Sequence, residues 1–140
     1  KYDRSKAWYP TDDPERLGET ASWMLFAEGT TNTASAARLN VNLGYDFDLD
    51  AVQAGAHRLF RVLDEHLWFR ELADEHWVVS GPHPTIADLA IFPDVILSEE
   101  GGISRLDYPA LRRWTDRVKR IPGFVAMPGI FETTAPPLRL

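Results

Sequence analysis

The residues most able to carry catalysis or bind a metal are the histidines, which are His57, His66, His76 and His83. No two of them are four residues apart, which is the spacing that a helical zinc site needs, and the chain has no cysteine to complete one. Asp64 could orient His66 or His76 as a base, yet no Gly-x-Ser-x-Gly elbow or other placed nucleophile accompanies them. We therefore predict neither a metal site nor a catalytic residue in this chain.

The clearest local pattern is a helix start at Thr85 and Asp88. The Thr85 side chain can accept a hydrogen bond from a free backbone N–H of the first turn, and the Asp88 carboxylate can accept one from the Thr85 N–H. Pro84 and Leu89 flank this capping box as a hydrophobic staple. We assign Thr85 and Asp88 a structural role, in which loss of a cap costs about 1 kcal/mol, and more if the aspartate is buried.

A run of small polar residues interrupts the first long apolar segment. It is Gly29-Thr30-Thr31-Asn32-Thr33, five poor helix formers in succession. Their short side chains would leave space and hydrogen-bonding groups on the wall of a pocket. A frayed or kinked turn explains the run equally well, so both interpretations stay open.

Helix signals cover most of the chain and position these residues. The predicted helices span residues 14–39, 48–70, 85–99 and 109–121. Pro14 and Pro109 occupy first-turn positions, where proline is tolerated, whereas Pro93 lies inside the third helix and predicts a kink. Residues 77–79 are predicted to be a short extended plug before the third helix. The fold class is therefore all-α, a helical bundle of four to five main helices.

The first helix is apolar around nearly its whole circumference at residues 21–27. A helix that packs against one core has a single apolar stripe, so this stretch needs cover on more than one side. We predict an interface at Trp23, Met24 and Phe26, covered by another domain or a second subunit. A purely internal core helix is the alternative.

Composition limits the class of protein. The 140 residues are 44% hydrophobic and 26% charged, which suits a single globular domain with its own core, and no apolar run approaches the roughly 18 residues of a membrane span. The net charge of -6 argues against nucleic acid as a partner. The basic residues of the last helix are interpreted as a solvated face near its C-terminus.

Three motifs follow one another in a recognisable order. They are W-V-V-S-G-P-H-P-T-I-A-D-L-A at residues 77–90, Y-P-A-L-R-R-W at 108–114 and I-P-G-F at 121–124. Together they closely resemble the all-helical C-terminal domain of glutathione S-transferases, and Glu100-Gly101-Gly102-Ile103 is similar to a bacterial subgroup. The resemblance extends from about Trp8 to about Gly129.

The resemblance implies a longer parent protein. Transferases of this kind carry an upstream thioredoxin-like domain, which holds most of the glutathione site and the catalytic Ser, Tyr or Cys. Lys1-Tyr2-Asp3-Arg4 resembles the end of that domain's last helix. We therefore expect residues 1–10 to be its remnant and a linker, 11–124 the helical domain and 125–140 an extended tail.

The resemblance also implies a function for the parent protein. It would be a cytoplasmic homodimer that conjugates glutathione, its co-substrate, to small hydrophobic electrophiles in detoxification. The isolated chain would be inactive and would bind no cofactor, because the groups that hold and activate the thiol belong to the other domain. No membrane association and no nucleic acid binding are expected.

Family pockets take side chains from the first helix of this domain and from the end of the proline-kinked one. The matching positions here are Ala27, Thr31, Asn32, Ser35, Phe92 and Ile96. Arg38 could reach an anionic group of glutathione, or it could face water. These assignments follow from the resemblance.

Two other classes of function stay open. Similar helical domains mediate association without chemistry in translation factors and other proteins, so this chain could be a binding or scaffold module. A glutathione-dependent peroxidase, reductase or dehalogenase would share the same architecture. The upstream sequence separates the scaffold from the enzymes, and product analysis separates the enzymes from one another.

Overall fold

The computed structural model describes residues 5–140 and confirms the all-α fold, since it contains no strand within this range. The four N-terminal residues, compared above with the end of a preceding helix, lie outside the described residues. The helices are α1 (Pro14–Thr30), α2 (Ala36–Leu43), α3 (Leu49–Leu72), α4 (Ile86–Ile96) and α5 (Pro109–Val118). A π-helical segment, Thr31–Ser35, joins α1 to α2, and a 3₁₀ turn, Ser98–Gly101, follows α4.

The first predicted helix is longer than expected and changes its winding. Asp13 caps α1 by accepting the Arg16 N–H at 3.1 Å, with Pro14 in the first turn. The helix then passes through the π-helical segment and continues to Leu43, four residues beyond the predicted end. The polar run at residues 29–33 therefore spans the last two residues of α1 and the start of the π-helical segment, and it is not a frayed end.

The core lies where α3, α4 and α5 meet. Asp48 starts α3 by accepting the Ala51 N–H at 3.0 Å, and the apolar residues of α3 recur at the spacing that places them on one face. The largest buried side chains include Phe60, Leu63 and Leu67 of α3, Ile91 and Val95 of α4, and Leu111, Trp114 and Val118 of α5.

The non-helical residues 77–79 are all buried beside the start of α4. Helix α4 ends at Ile96 and not at Glu99, because the chain there tightens into the 3₁₀ turn and Gly102 follows in the left-handed conformation. Pro93 lies inside α4, where its ring removes one backbone donor. Helix α4 packs against α1 and against α5, so it is the central helix of the bundle.

The C-terminal residues 124–140 contain no helix, yet they are attached to the bundle. The Leu138 N–H donates to the Arg120 carbonyl at 2.9 Å, and Ile130 is buried. Among the described helices, none combines the length and the apolar character that a membrane crossing demands.

Candidate functional site

Asp88 is fully buried at the start of α4 and joins three segments. Its Oδ2 atom accepts the Thr85 N–H at 2.9 Å and the Thr85 hydroxyl at 3.4 Å. Its Oδ1 atom accepts the Val78 N–H at 3.1 Å and the Trp114 indole N–H at 2.9 Å. The capping box therefore also ties α4 to the plug and to α5.

The environment of Asp88 is that of a structural group. Burial raises the pKa of its carboxyl, and the N–H donors of Thr85, Trp114 and Val78 oppose that rise by favouring the charged form. The Thr85 hydroxyl also accepts the Ala87 N–H at 3.3 Å, so the first turn of α4 has its free donors satisfied. Since no part of the Asp88 side chain is accessible, it cannot contact a substrate.

A second buried aspartate, Asp94, lies near the other end of α4 and was not among the residues singled out in the sequence. It is 7% exposed. Its Oδ2 atom accepts the Thr30 hydroxyl at 2.9 Å and the Thr31 hydroxyl at 2.7 Å, and its Oδ1 atom accepts the Ser35 hydroxyl. The polar run and the π-helical segment are therefore built around this carboxylate.

The winding of the helix explains how the three hydroxyl groups converge. The Ala36 N–H donates to the carbonyl of Thr31, five residues earlier, which defines the wide turn. Such single π turns inside α-helices are often found at functional sites. The run of hydroxyl residues was the sequence signal for this site, but its acceptor lies about sixty residues away along the chain.

The structure places four of the six predicted pocket residues on the α1 side. Ala27 is buried, Thr31 and Asn32 are exposed, and Ser35 is half-buried. Thr31 and Ser35 both bind Asp94, and the Ala27 carbonyl faces the Thr31 hydroxyl at 3.1 Å. Ala27, Thr31 and Ser35, four residues apart in succession, therefore form one strip beside Asp94 of α4.

The other two predicted pocket residues lie on a different side of α4. Phe92 packs edge-to-face against Trp114 and Phe124, with ring centroids 6.2 and 5.7 Å apart. It is two residues from Asp94 and therefore about 200° away around the helix. Ile96 borders a cleft of about 670 Å³ between the end of α4, α5 and the tail. The six residues thus do not form one wall in the described structure.

The cleft beside Ile96 is lined by charges of both signs. Arg105 pairs with Glu99 at 3.3 Å, and Lys119 pairs with Asp116 at 2.9 Å. Because cations and anions there largely compensate one another, the cleft has no clear preference for an anionic or a cationic ligand.

Arg38, the predicted glutathione contact, is engaged within the chain. Its Nε and Nη2 atoms donate to Glu100 Oε2 at 3.1 and 2.8 Å, with Arg38 half-buried and Glu100 exposed. Arg38 is therefore partly exposed to solvent and held in an ion pair with Glu100. A contact with glutathione stays a prediction and would require this ion pair to open.

The predicted interface residues are incompletely covered by the bundle. Trp23 and Phe26 are half-buried and contact each other edge-to-face, with ring centroids 5.0 Å apart. Met24 is 38% exposed, and the neighbouring Leu25 is 71% exposed. The apolar surface of α1 is thus available for a partner, and which partner covers it stays a prediction.

The acid and histidine candidates have structural partners. Asp64 Oδ1 accepts the Leu111 N–H at 2.8 Å at the start of α5, so it does not orient His66. The Nε2 atom of His66 lies 2.8 Å from the Val78 carbonyl, and burial lowers the pKa of this imidazole. Within residues 5–140, no three His, Cys, Asp or Glu side chains come together as metal ligands.

Comparison with known proteins finds relatives in sequence and in fold. No protein-family model matches the chain. The chain is 30% identical over 132 residues to the glutathione S-transferase verG of Clonostachys rogersoniana, in an alignment that covers 88% of this chain and 53% of that protein. The chain therefore spans about half the length of this curated relative.

A solved structure gives the same result for the fold. A glutathione S-transferase from Xanthobacter autotrophicus Py2 matches with a TM-score of 0.75 and 27% identity, covering 86% of this chain and 58% of the other. Both relatives carry the same family name, and the all-helical fold agrees with the resemblance found in the sequence. In sequence and in fold, this chain is similar to glutathione S-transferases, and its all-helical structure is consistent with a C-terminal-like helical domain of that family.

Proposed function

We propose that this domain forms the electrophile-binding side of an enzyme that conjugates glutathione to small hydrophobic electrophiles. The observation that carries the proposal is the similarity to two glutathione S-transferases over more than four-fifths of the chain. In this proposal residues 11–124 are the helical domain and 125–140 its tail. A preceding thioredoxin-like domain supplies the glutathione site and the catalytic Ser, Tyr or Cys.

The strip beside α4 supports a role in binding the electrophile. Small-molecule sites are mostly apolar, with a few polar groups that fix orientation. The strip offers Ala27 together with the hydroxyl groups of Thr31 and Ser35, and these hydroxyl groups are held by Asp94. A small electrophile resting there would contact apolar carbon and a few fixed oxygen atoms.

The proposed division of labour follows from thiol chemistry. A free thiol has a pKa of about 8.5, so a hydrogen bond that favours the thiolate is needed for reaction near neutral pH. The other domain would supply that bond. This domain would hold the electrophilic carbon within reach of the sulfur, which lowers the barrier by orienting the two reactants. The thiolate forms the C–S bond either as the leaving group departs with its electron pair or, in an addition, as the electrophile's π electrons move to a neighbouring atom that then takes up a proton.

The exposed surface of α1 fits the same proposal. Met24 and Leu25 would otherwise remain in water, and burying an apolar side chain is favourable by about 1.5–3 kcal/mol. A second subunit or the thioredoxin-like domain would cover them in a cytoplasmic homodimer. Trp23 and Phe26 would lie at the edge of the same contact.

The experiment compares the full-length protein with this 140-residue chain. We expect the full-length protein to conjugate glutathione to haloaromatic compounds or isothiocyanates, followed by absorbance and mass spectrometry. We expect calorimetric titration of glutathione into the isolated chain to give no binding in the micromolar range, because the chain offers Arg38 only in an ion pair.

Three other outcomes would contradict this proposal, and two of them would each favour a different function. Micromolar binding of glutathione by the isolated chain would refute the proposed division of labour. A full-length protein that reduces peroxides or removes halide without forming a stable conjugate would be a peroxidase or a dehalogenase. A full-length protein that binds no glutathione would favour the scaffold module.

A further inference from the structure

Two hydroxyl groups on the proposed pocket strip have their hydrogen atoms directed into the protein. The Thr31 Oγ1 atom lies 2.7 Å from Asp94 Oδ2 and 3.1 Å from the Ala27 carbonyl, and the Ser35 Oγ atom contacts Asp94 Oδ1. An ionised carboxylate and a carbonyl can only accept hydrogen bonds. The single hydrogen of each hydroxyl group must therefore lie on its inner side.

Thr30 completes this arrangement from within the core. It is fully buried, and its hydroxyl lies 2.8 Å from the Ala27 carbonyl and 2.9 Å from Asp94 Oδ2. The hydrogens of Thr30 and Thr31 thus serve the same two inner acceptors. Since both acceptors can take both hydrogens, nothing draws the Thr31 hydrogen outward toward a ligand.

The outer sides of Thr31 and Ser35 consequently present lone pairs. Hydrogen bonding to a charged acceptor polarises a hydroxyl group and makes its oxygen a better acceptor in turn. We propose that Asp94 is a positioning residue that makes this strip a hydrogen-bond acceptor surface, which selects electrophiles carrying an N–H or O–H group near the reacting carbon. This inference rests on the proposed function, because it requires the strip to face the electrophile.

The chain provides two matched controls. Thr30 binds the same carboxylate but is fully buried, so it presents nothing to a ligand. Thr33 is a half-buried threonine of the same segment whose hydroxyl donates to the Gly29 carbonyl at 2.7 Å, with no bond to Asp94. Replacing either by valine changes the segment without changing the acceptors of Thr31 and Ser35.

The test uses the full-length protein and two aryl isothiocyanates that differ only in a hydroxymethyl or a methoxymethyl substituent. Both react by the same addition, in which the thiolate bonds to the central carbon and the nitrogen takes up a proton. Only the hydroxymethyl compound can donate a hydrogen bond. We expect wild-type kcat/KM to favour it by about fivefold, the range that one neutral hydrogen bond supports.

The Asp94→Asn variant should reduce this ratio to about one. The amide nitrogen would donate to one of the hydroxyl groups, whose own hydrogen would then turn outward and repel a donor. Thr31→Val and Ser35→Ala each remove one outer acceptor and should also lower the ratio of the two kcat/KM values. These two variants still test the inference if Asp94→Asn does not fold. Thr30→Val and Thr33→Val should retain the wild-type ratio.

The ratio separates positioning from a merely structural role. Structural damage would lower kcat/KM for both compounds together and leave their ratio unchanged. A wild-type ratio near one, or a wild-type ratio retained in folded Asp94→Asn, would overturn the inference while conjugation itself still supports the proposed function. Failure of the wild-type protein to conjugate these compounds would overturn the inference, and failure with haloaromatic compounds as well would refute the proposed function.

Discussion

Asp88 and Asp94 are two buried aspartates on one helix, six residues apart, and they differ in the groups that donate to them. Asp88 binds the backbone N–H groups of Thr85 and Val78 and the indole of Trp114, and the Thr85 hydroxyl makes a longer contact at 3.4 Å. Covalent geometry fixes the hydrogen atoms of the three N–H donors. Asp94 binds only side-chain hydroxyl groups among the hydrogen bonds described, and a hydroxyl hydrogen can rotate.

Because of this difference, we expect Asp88 to govern the stability of the fold and Asp94 to govern the polarity of the site. A fixed donor that loses its acceptor stays unpaired in the core, and the penalty is large. A rotatable donor can turn to another acceptor, so a change at its partner alters the direction of the hydrogen more than the stability of the fold. Two residues of the same type on α4 therefore have different roles, and the donors decide which.

The largest expected effect is that of Asp88→Ala on stability. The variant leaves the N–H groups of Thr85, Val78 and Trp114 without this acceptor in the core. At about 1–3 kcal/mol for each unpaired group, we expect the free energy of unfolding to fall by at least about 3 kcal/mol. Urea denaturation of the isolated chain measures this directly.

Asp48→Ala is the matched control for that variant. Asp48 is also an N-cap residue, but it is exposed and accepts one N–H, from Ala51 at 3.0 Å. Its loss should lower the free energy of unfolding by about 1 kcal/mol. Equal losses in the two variants would show that Asp88 acts as an ordinary cap and not as a central junction.

The next effect is the contrast between Asp88→Asn and Asp94→Asn, which both preserve size. At Asp88 the new amide N–H₂ must face a fixed N–H donor, so we expect the free energy of unfolding to fall by about 2 kcal/mol. At Asp94 a hydroxyl group can rotate and accept a hydrogen bond from the amide N–H₂. We therefore expect the free energy of unfolding to fall by less than about 1 kcal/mol. Urea midpoints at equal denaturant slopes give both values. An equal loss at Asp94 would show that its hydroxyl donors constrain the carboxylate as strictly as the N–H donors constrain Asp88.

The parts of the fold that were predictable depend on residues close in sequence. The Thr85–Asp88 box and the predicted helix starts at Pro14 and Asp48 depend on groups within three positions, so their patterns were sufficient. The site around Asp94 joins groups about sixty residues apart. Nothing local shows which of the 21 acidic residues the hydroxyl run will meet.

The same limit applies to the residues that were placed by resemblance. Arg38 meets Glu100 across 62 positions, and this pairing has no local signal. Thr31 and Phe92 were expected on one wall, yet they lie on different sides of α4 because Phe92 packs toward α5. The apolar circumference of α1 was visible in the sequence, whereas the exposure of Met24 required the packed bundle.

The smallest expected effect is that of Thr30→Val, and it tests the comparison at the level of one donor. After the substitution, Thr31 still donates to Asp94 Oδ2 and Ser35 to Oδ1, so each carboxylate oxygen keeps a partner. We therefore expect the free energy of unfolding to fall by about 1 kcal/mol or less. Thr20→Val is the control, since Thr20 is equally buried in α1 and its hydroxyl donates to the Arg16 carbonyl at 2.7 Å. Similar losses in both variants would show that Asp94 tolerates the removal of a donor, whereas a clearly larger loss for Thr30→Val would mean that Asp94 depends on each donor as strictly as Asp88 does.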